Sequence, residues 1–175
     1  MRSFLRKTLF PVVLILAGSF CAFAQIEQCP YIDNPGRREP LSDHIKERMI
    51  ELCIEDNKKE FEKLVARSEE AARLSEELEK SFNEQNSLTK EDREKLERVE
   101  DLLGKIRKEL RADKDEGDDD NKMPETVMEG LKQLQENTGK LLNEIKKTTR
   151  HSISAVAVQS SNTVLKLIKF LRFTN

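Results

Sequence analysis

Three cysteines and two histidines are the side chains here best suited to nucleophilic, acid–base or metal chemistry: Cys21, Cys29, Cys53, His44 and His151. Nucleophilic catalysis needs a base held within hydrogen-bond reach of a nucleophile and a third group that orients the base. Neither histidine stands in such a motif. His44 follows Asp43 in the first turn of a predicted helix and His151 lies in a basic stretch, so both read as solvated side chains. Zinc wants about four ligands at regular spacing, and Cys29, His44 and Cys53 offer three. The run DKDEGDDDNK, residues 113–122, holds six acidic groups. Calcium takes clustered carboxylates, but no register of this run meets the order of a calcium loop. It reads as a solvated, self-repelling acidic linker. With no phosphate-cradling glycine loop and no zinc-protease helix motif either, the chain reads as a non-enzyme: no catalytic residue, metal, cofactor or small-molecule substrate is assigned.

The cysteines acquire a different meaning from the first 24 residues. Arg2, Arg6 and Lys7 precede an apolar run from Leu9 to Phe20, and Ala22-Phe23-Ala24 closes it with small residues before Gln25. That is the pattern of a secretory signal peptide, whose apolar core is shorter than the roughly 20 residues of a spanning helix. Cleavage after Ala24 is expected, which makes the protein exported, periplasmic or secreted. A lipoprotein acylated at Cys21 is the rival reading, but Gly18 and Phe20 stand where that motif wants a Leu-like and a small residue. Cys29 and Cys53 then remain in an oxidising compartment, and a Cys29–Cys53 disulfide is expected. It would tie the Pro-rich segment 25–41 to the first helix and contribute roughly 3 to 4 kcal/mol on the chain-entropy model.

Charged residues make up 37% of the sequence and Trp is absent, so little bulky side chain is available for a thick core. The fold class expected is all-α, an elongated antiparallel hairpin or coiled-coil-like bundle with a long third helical region. From Ser42 to Phe82 there is no Gly or Pro, and Glu, Lys, Leu and Ala dominate. Ile45, Met49 and Leu52 open an apolar stripe that Phe61, Leu64, Ser68, Ala71, Ser75, Leu78 and Phe82 continue at spacings of three and four, a heptad seam. Its small residues bury little area but admit a close partner helix. NEQNSLTKED then marks a turn, with Thr89 and Asp92 forming an acidic variant of the capping box. Leu96, Val99, Leu102, Ile106 and Leu110 line a second helix ending near Arg111, completing a hairpin over 42–112.

The third region, 123–175, is expected to start its helix at Met123-Pro124. Val127, Leu131, Leu134, Thr138, Leu141 and Ile145 form its seam; beyond Ile145 the pattern steps by fours through Thr149 and Ile153, which marks local unwinding or a break. As one rod, residues 125–172 would span roughly 70 Å.

Charge divides the chain. Without residues 1–24 the formal net charge moves from -2 to -5, and residues 140–175 hold seven Lys or Arg against Glu144 alone. The C-terminal helix has Ile153, Val156, Val164, Leu167, Ile168 and Leu171 on one face and Gln159, Asn162, Lys166 and Lys169 opposite, a basic amphipathic pattern. Its apolar face packs on the preceding helices, or else Val164, Lys166, Leu167, Lys169, Phe170, Leu171 and Arg172 bind a partner or an anionic membrane surface. Lys166, Lys169 and the polar run 159–162 disfavour a spanning helix. Nucleic acid is disfavoured by the export signal and the acidic remainder. The function expected is therefore an exported, non-catalytic interaction or scaffold protein, with self-association or a protein partner at its helical seams; the alternative is a peripheral membrane-surface binder acting through the C-terminal helix.

Overall fold

A computed structural model describes residues 42–112, 123–148 and 154–174. The described chain is all-helical: α1 (Asp43–Gln85), α2 (Lys90–Glu109), α3 (Val127–Lys147) and α4 (Ala155–Phe173). Residues 1–24, expected to be a signal peptide, Cys29, the acidic run 113–122, His151 and Ile153 lie outside the described residues.

Each boundary follows from local chemistry. Asn86 ends α1 in the left-handed region (φ 51), and its N–H donates to the Phe82 carbonyl at 2.8 Å; Asn tolerates this conformation better than most residues. Three residues later, at Thr89, the expected capping box is present. The Thr89 hydroxyl accepts from the Asp92 N–H at 3.1 Å, and the Asp92 carboxylate accepts from the Thr89 N–H at 3.0 Å. Asp92 also accepts from Ser81 of α1 at 3.0 Å, so one side chain caps α2 and fastens it to α1. Burial of Asp92 works to raise its carboxyl pKa, yet the hydrogen bonds from Thr89 and Ser81 and the charge of Lys95 together hold it below the usual value.

α3 begins at Val127, three residues beyond Pro124, because Thr126 is its cap: the Thr126 hydroxyl accepts from the Glu129 N–H at 3.2 Å. The third region is two helices rather than one rod. α3 ends at Thr148, whose backbone is extended (φ -76, ψ 150), and Ser154 caps α4 by accepting from the Ala157 N–H at 3.3 Å. This break falls where the apolar spacing changes to successive fours. Gly130 belongs to the packing: a Cβ there would meet Leu171 at 3.0 Å and Phe170 at 3.1 Å, so its absence lets α3 approach α4 closely.

Neighbouring helices pack in the ring order α1, α2, α4, α3. Ser81 meets Asp92 while Arg67 meets Glu109, which makes α1 and α2 antiparallel. Gly130 faces Leu171 and Ser154 faces Glu144, so α3 and α4 are antiparallel as well. α2 and α4 run oppositely too, with Arg107 at Ser161 and Arg172 at Glu100. α2 and α3 are consequently parallel on the diagonal of a four-helix bundle, and both end beside the Arg67–Glu69 level of α1. The core they enclose includes Leu78, Val99, Ile106, Leu131, Leu134, Val164, Ile168 and Leu171, each at most 0% exposed. Ser68 and Ser75 sit inside it, and each hydroxyl donates to the carbonyl four residues earlier at 2.8 Å, which satisfies the buried oxygen.

Candidate interaction surface

α1 is about twice as long as its neighbours: at 1.5 Å per residue, 43 residues span about 65 Å against about 30 Å for the 20 of α2. Its packed part ends at Phe61, the first residue of α1 that lies against the bundle core. From Phe61 back to Asp43 the helix continues for about 27 Å as an overhang. Three-four spacing carried back from Phe61 leads to Asn57, Ile54 and Ile50, whereas Leu52 falls on the opposite side of the helix. Ile45, Met49 and Leu52 therefore do not open the buried seam, a correction to the stripe expected from the sequence.

At 100° per residue, Leu52, Ile45, Met49, Cys53, Ile50 and Ile54 occupy an arc of about 200° with Cys53 at its middle, and Glu47, Arg48 and Glu51 fill the rest. Ile45, Ile50, Leu52 and Ile54 are each nearly half exposed, while Cys53 is 9% exposed. The charged side chains of the overhang pair locally, and Lys46 and Asp43 do so within the arc itself. Lys46 pairs with Asp43 at 3.1 Å, Arg48 with Glu51 at 2.9 Å, Lys59 with Glu55 at 3.2 Å and Lys63 with Glu60 at 2.6 Å, all within one helical turn. Such pairs support an isolated helix by a few tenths of a kcal/mol each. The hydrogen bond from Lys63, followed by its charge, holds the Glu60 carboxyl below its usual range.

The C-terminal helix is arranged differently. Val164, Leu167, Ile168 and Leu171 are within 2% of full burial, so the apolar face of α4 is occupied by the bundle. Val156, expected on that face, is 51% exposed, because it lies in the first turn at the edge of the arc that Ala157, Ser160 and Ser161 bury. Arg172 pairs with Glu100 of α2, and Lys146 of α3 with Glu69 of α1 at 2.7 Å, so basic groups of the C-terminal third do meet acidic ones of the hairpin. Phe170 is half-buried against the core, Lys166 is half-buried, and Lys169 and Phe173 face solvent.

One buried cation was not anticipated from the sequence. Arg107, 8% exposed on α2, donates to the Ser161 hydroxyl at 3.3 Å and to the Asn162 side-chain carbonyl. Its signal was positional: Leu103 and Leu110 flank it at helical spacing, which places residue 107 on the core side.

His44 is exposed at the start of α1. Among the described residues no group of three or more His, Cys, Asp or Glu side chains is arranged to hold a metal, and no helix is long and apolar enough to cross a membrane. Comparison with protein families, curated proteins and solved structures finds no match to this chain.

Proposed function

We propose that the protein is an exported, non-catalytic interaction or scaffold protein that presents the α1 overhang to a helical segment of a protein partner. The observation that carries this reading is the 27 Å or so of α1 beyond the core, on which Ile45, Ile50 and Leu52 are nearly half exposed. An amphipathic helix offers an apolar strip with i, i+3, i+4 anchors, and a second amphipathic helix covers such a strip. Export rests on residues 1–24. The bundle acts as the base that holds the overhang out, since its own apolar faces are spent on folding.

Membrane attachment through α4 is the competing reading. Lys169 and the 86% exposed Phe173 favour it, whereas burial of Val164, Leu167 and Leu171 opposes it. Each basic group near an anionic surface contributes about 1 kcal/mol.

Photocrosslinking separates the two. A photoreactive residue placed at Ile50 should give discrete protein adducts in the compartment to which the chain is exported, and one at the exposed Glu97 of α2 should give none with any other protein. Loss of the Ile50 adducts, together with flotation on anionic vesicles that Lys166→Glu/Lys169→Glu abolishes without loss of helicity, would replace the scaffold reading with the membrane reading.

A further inference from the structure

The outward face of α2 carries a charge pattern that the bundle itself does not use. Gly104 lies exposed in the interior of this helix, where glycine costs stability, and a Cβ there would meet nothing within 4 Å. Packing within the chain therefore does not call for a glycine. Glu97 stands seven residues before it and Arg111 seven after, while Asp101 stands three before and Lys108 four after. Glu97, Asp101 and Lys108 lie within about 60° of Gly104 around the helix axis, and all four charged side chains are exposed. None of the four forms a salt bridge among the described residues. Lys95, Arg98 and Glu100, turned toward α1 and α4, are by contrast paired with Glu77, Glu70 and Arg172.

We propose that two copies of the chain pair through this face, α2 against α2, antiparallel about a two-fold axis at Gly104. Such an axis, perpendicular to α2, brings Glu97 of each copy level with Arg111 of the other and Asp101 level with Lys108. Acidic and basic groups then alternate across the contact on both sides of two facing glycines, and one patch completes itself as an isologous interface requires. With no Cβ at the crossing point, the two backbones approach closely enough for the flanking side chains to meet. The backbone supports a use for Arg111 as well. Its φ of 49 is the left-handed conformation in which a helix commonly ends on glycine, so the glycine and the side chain stand in the reverse of the places that local conformation favours.

The helix dipole favours basic groups in the last turn, which suits Lys108 and Arg111. That effect fades within a turn, so it accounts for neither Glu97 and Asp101 nor the glycine that follows them. Gly139 of α3 provides the contrast. A Cβ there would also meet nothing within 4 Å, but Lys132 and Lys146 stand seven residues to either side, and the same symmetry operation would oppose like charges. The paired stretch from Glu97 to Arg111 is about 21 Å long. Exposed ion pairs are individually weak and screened by salt, so the dimer depends on concentration and ionic strength. Because α1 runs antiparallel to α2 and continues past its C-terminal end, the axis points the two overhangs in opposite directions. One dimer could thus hold two partners apart, although the pairing itself does not depend on the overhang binding anything.

Sedimentation velocity on the chain purified from the exported fraction tests this directly. Wild type should show a monomer–dimer equilibrium that moves roughly tenfold or more toward monomer between about 0.05 M and 0.5 M salt. Lys108→Glu/Arg111→Glu and Glu97→Lys/Asp101→Lys should each keep their helicity and stay monomeric where wild type pairs, because every contact becomes like-charged. An equimolar mixture of the two variants should form a heterodimer, since all contacts are then opposite in charge. Gly104→Gln should melt higher when dilute, through helix propensity, yet dimerise roughly tenfold more weakly. Wild type that remains monomeric to about 1 mM in low salt would overturn the proposal. A mixture that stays monomeric would overturn it too, as would dimers that both charge-reversed variants leave intact, which would assign self-association to another face. Loss of the Ile50 adducts with the dimer intact would count against the partner-binding reading alone. Ile50 adducts from a strictly monomeric chain would count against the pairing alone.

Discussion

The two segments of α1 share one helix and nearly one composition but are stabilised differently. Between Leu64 and Phe82 three of its acidic groups pair across to other helices, Glu70 with Arg98 at 2.9 Å, Glu69 with Lys146 at 2.7 Å and Glu77 with Lys95 at 3.6 Å, beside the local pairs Arg73–Glu77 and Lys80–Glu76. Between Asp43 and Lys63 the described pairs stay within one turn of the same helix. The packed segment buries Ser68, Ala71, Leu74, Ser75 and Leu78, three of the five small, whereas the overhang holds larger apolar side chains such as Ile50 and Leu52 at nearly half exposure. Apolar size thus does not determine which segment is core. A ring of three helices of about 20 residues covers only about 30 Å of α1, and whatever lies beyond that length must find its partner elsewhere.

The sharpest way to break this contrast is truncation on each side of it. Leu78→Ala, at a position 0% exposed, should cost about 2–5 kcal/mol through lost burial and the cavity left behind. Ile50→Ala should cost under about 1 kcal/mol, as substitutions away from a packed core do. Urea unfolding followed by circular dichroism measures both. Equal losses would mean that the overhang belongs to the cooperative core.

A smaller effect distinguishes the two ends of α1. Asp92→Asn, at the end where α1 meets α2, should cost about 1–3 kcal/mol because a buried, charge-assisted hydrogen-bond network is weakened. Since the folded Asp92 carboxyl titrates below its ordinary value, its stabilisation is fully present well above the unfolded value of about 3.9 and is lost as pH falls through the lower folded value. The stability difference between wild type and Asp92→Asn should accordingly shrink with acid between about pH 5 and pH 2. Ser42→Ala, at the far end, removes a side chain that makes no capping hydrogen bond and should change stability by under about 0.5 kcal/mol.

The smallest effect sharpens the boundary. Gly104 is a helix-interior glycine on the exposed side of α2, and a Cβ there would meet nothing within 4 Å, so Gly104→Ala should stabilise by about 0.5–1 kcal/mol through helix propensity alone. Exchange of amides in the bundle should slow by the corresponding factor, while those of residues 45–52 should be unchanged. Slowing along the whole of α1 would show the two segments to be one unfolding unit.

Much of the architecture was legible in the sequence because the signals are local. The Thr89–Asp92 cap, the turn at Asn86 and the break after Ile145 each depend on residues within a few positions of one another, and backbone hydrogen bonding decides them before any packing does. Periodicity likewise identified Leu131, Leu134, Leu141, Val164 and Leu167 as residues that seek burial. Tertiary structure alone decided what buries them. An apolar stripe states that a face leaves water but is silent on its partner, because the hydrophobic effect has no direction of its own. The basic C-terminal helix therefore read as a bundle element with a membrane surface as its rival, and the burial of Val164, Leu167 and Leu171 places its apolar face in the core. The start of the α1 seam was misplaced for the same reason: Ile45, Met49 and Leu52 are as apolar as core residues, but they fall on another side of α1 from Phe61 and beyond the length that the other three helices cover.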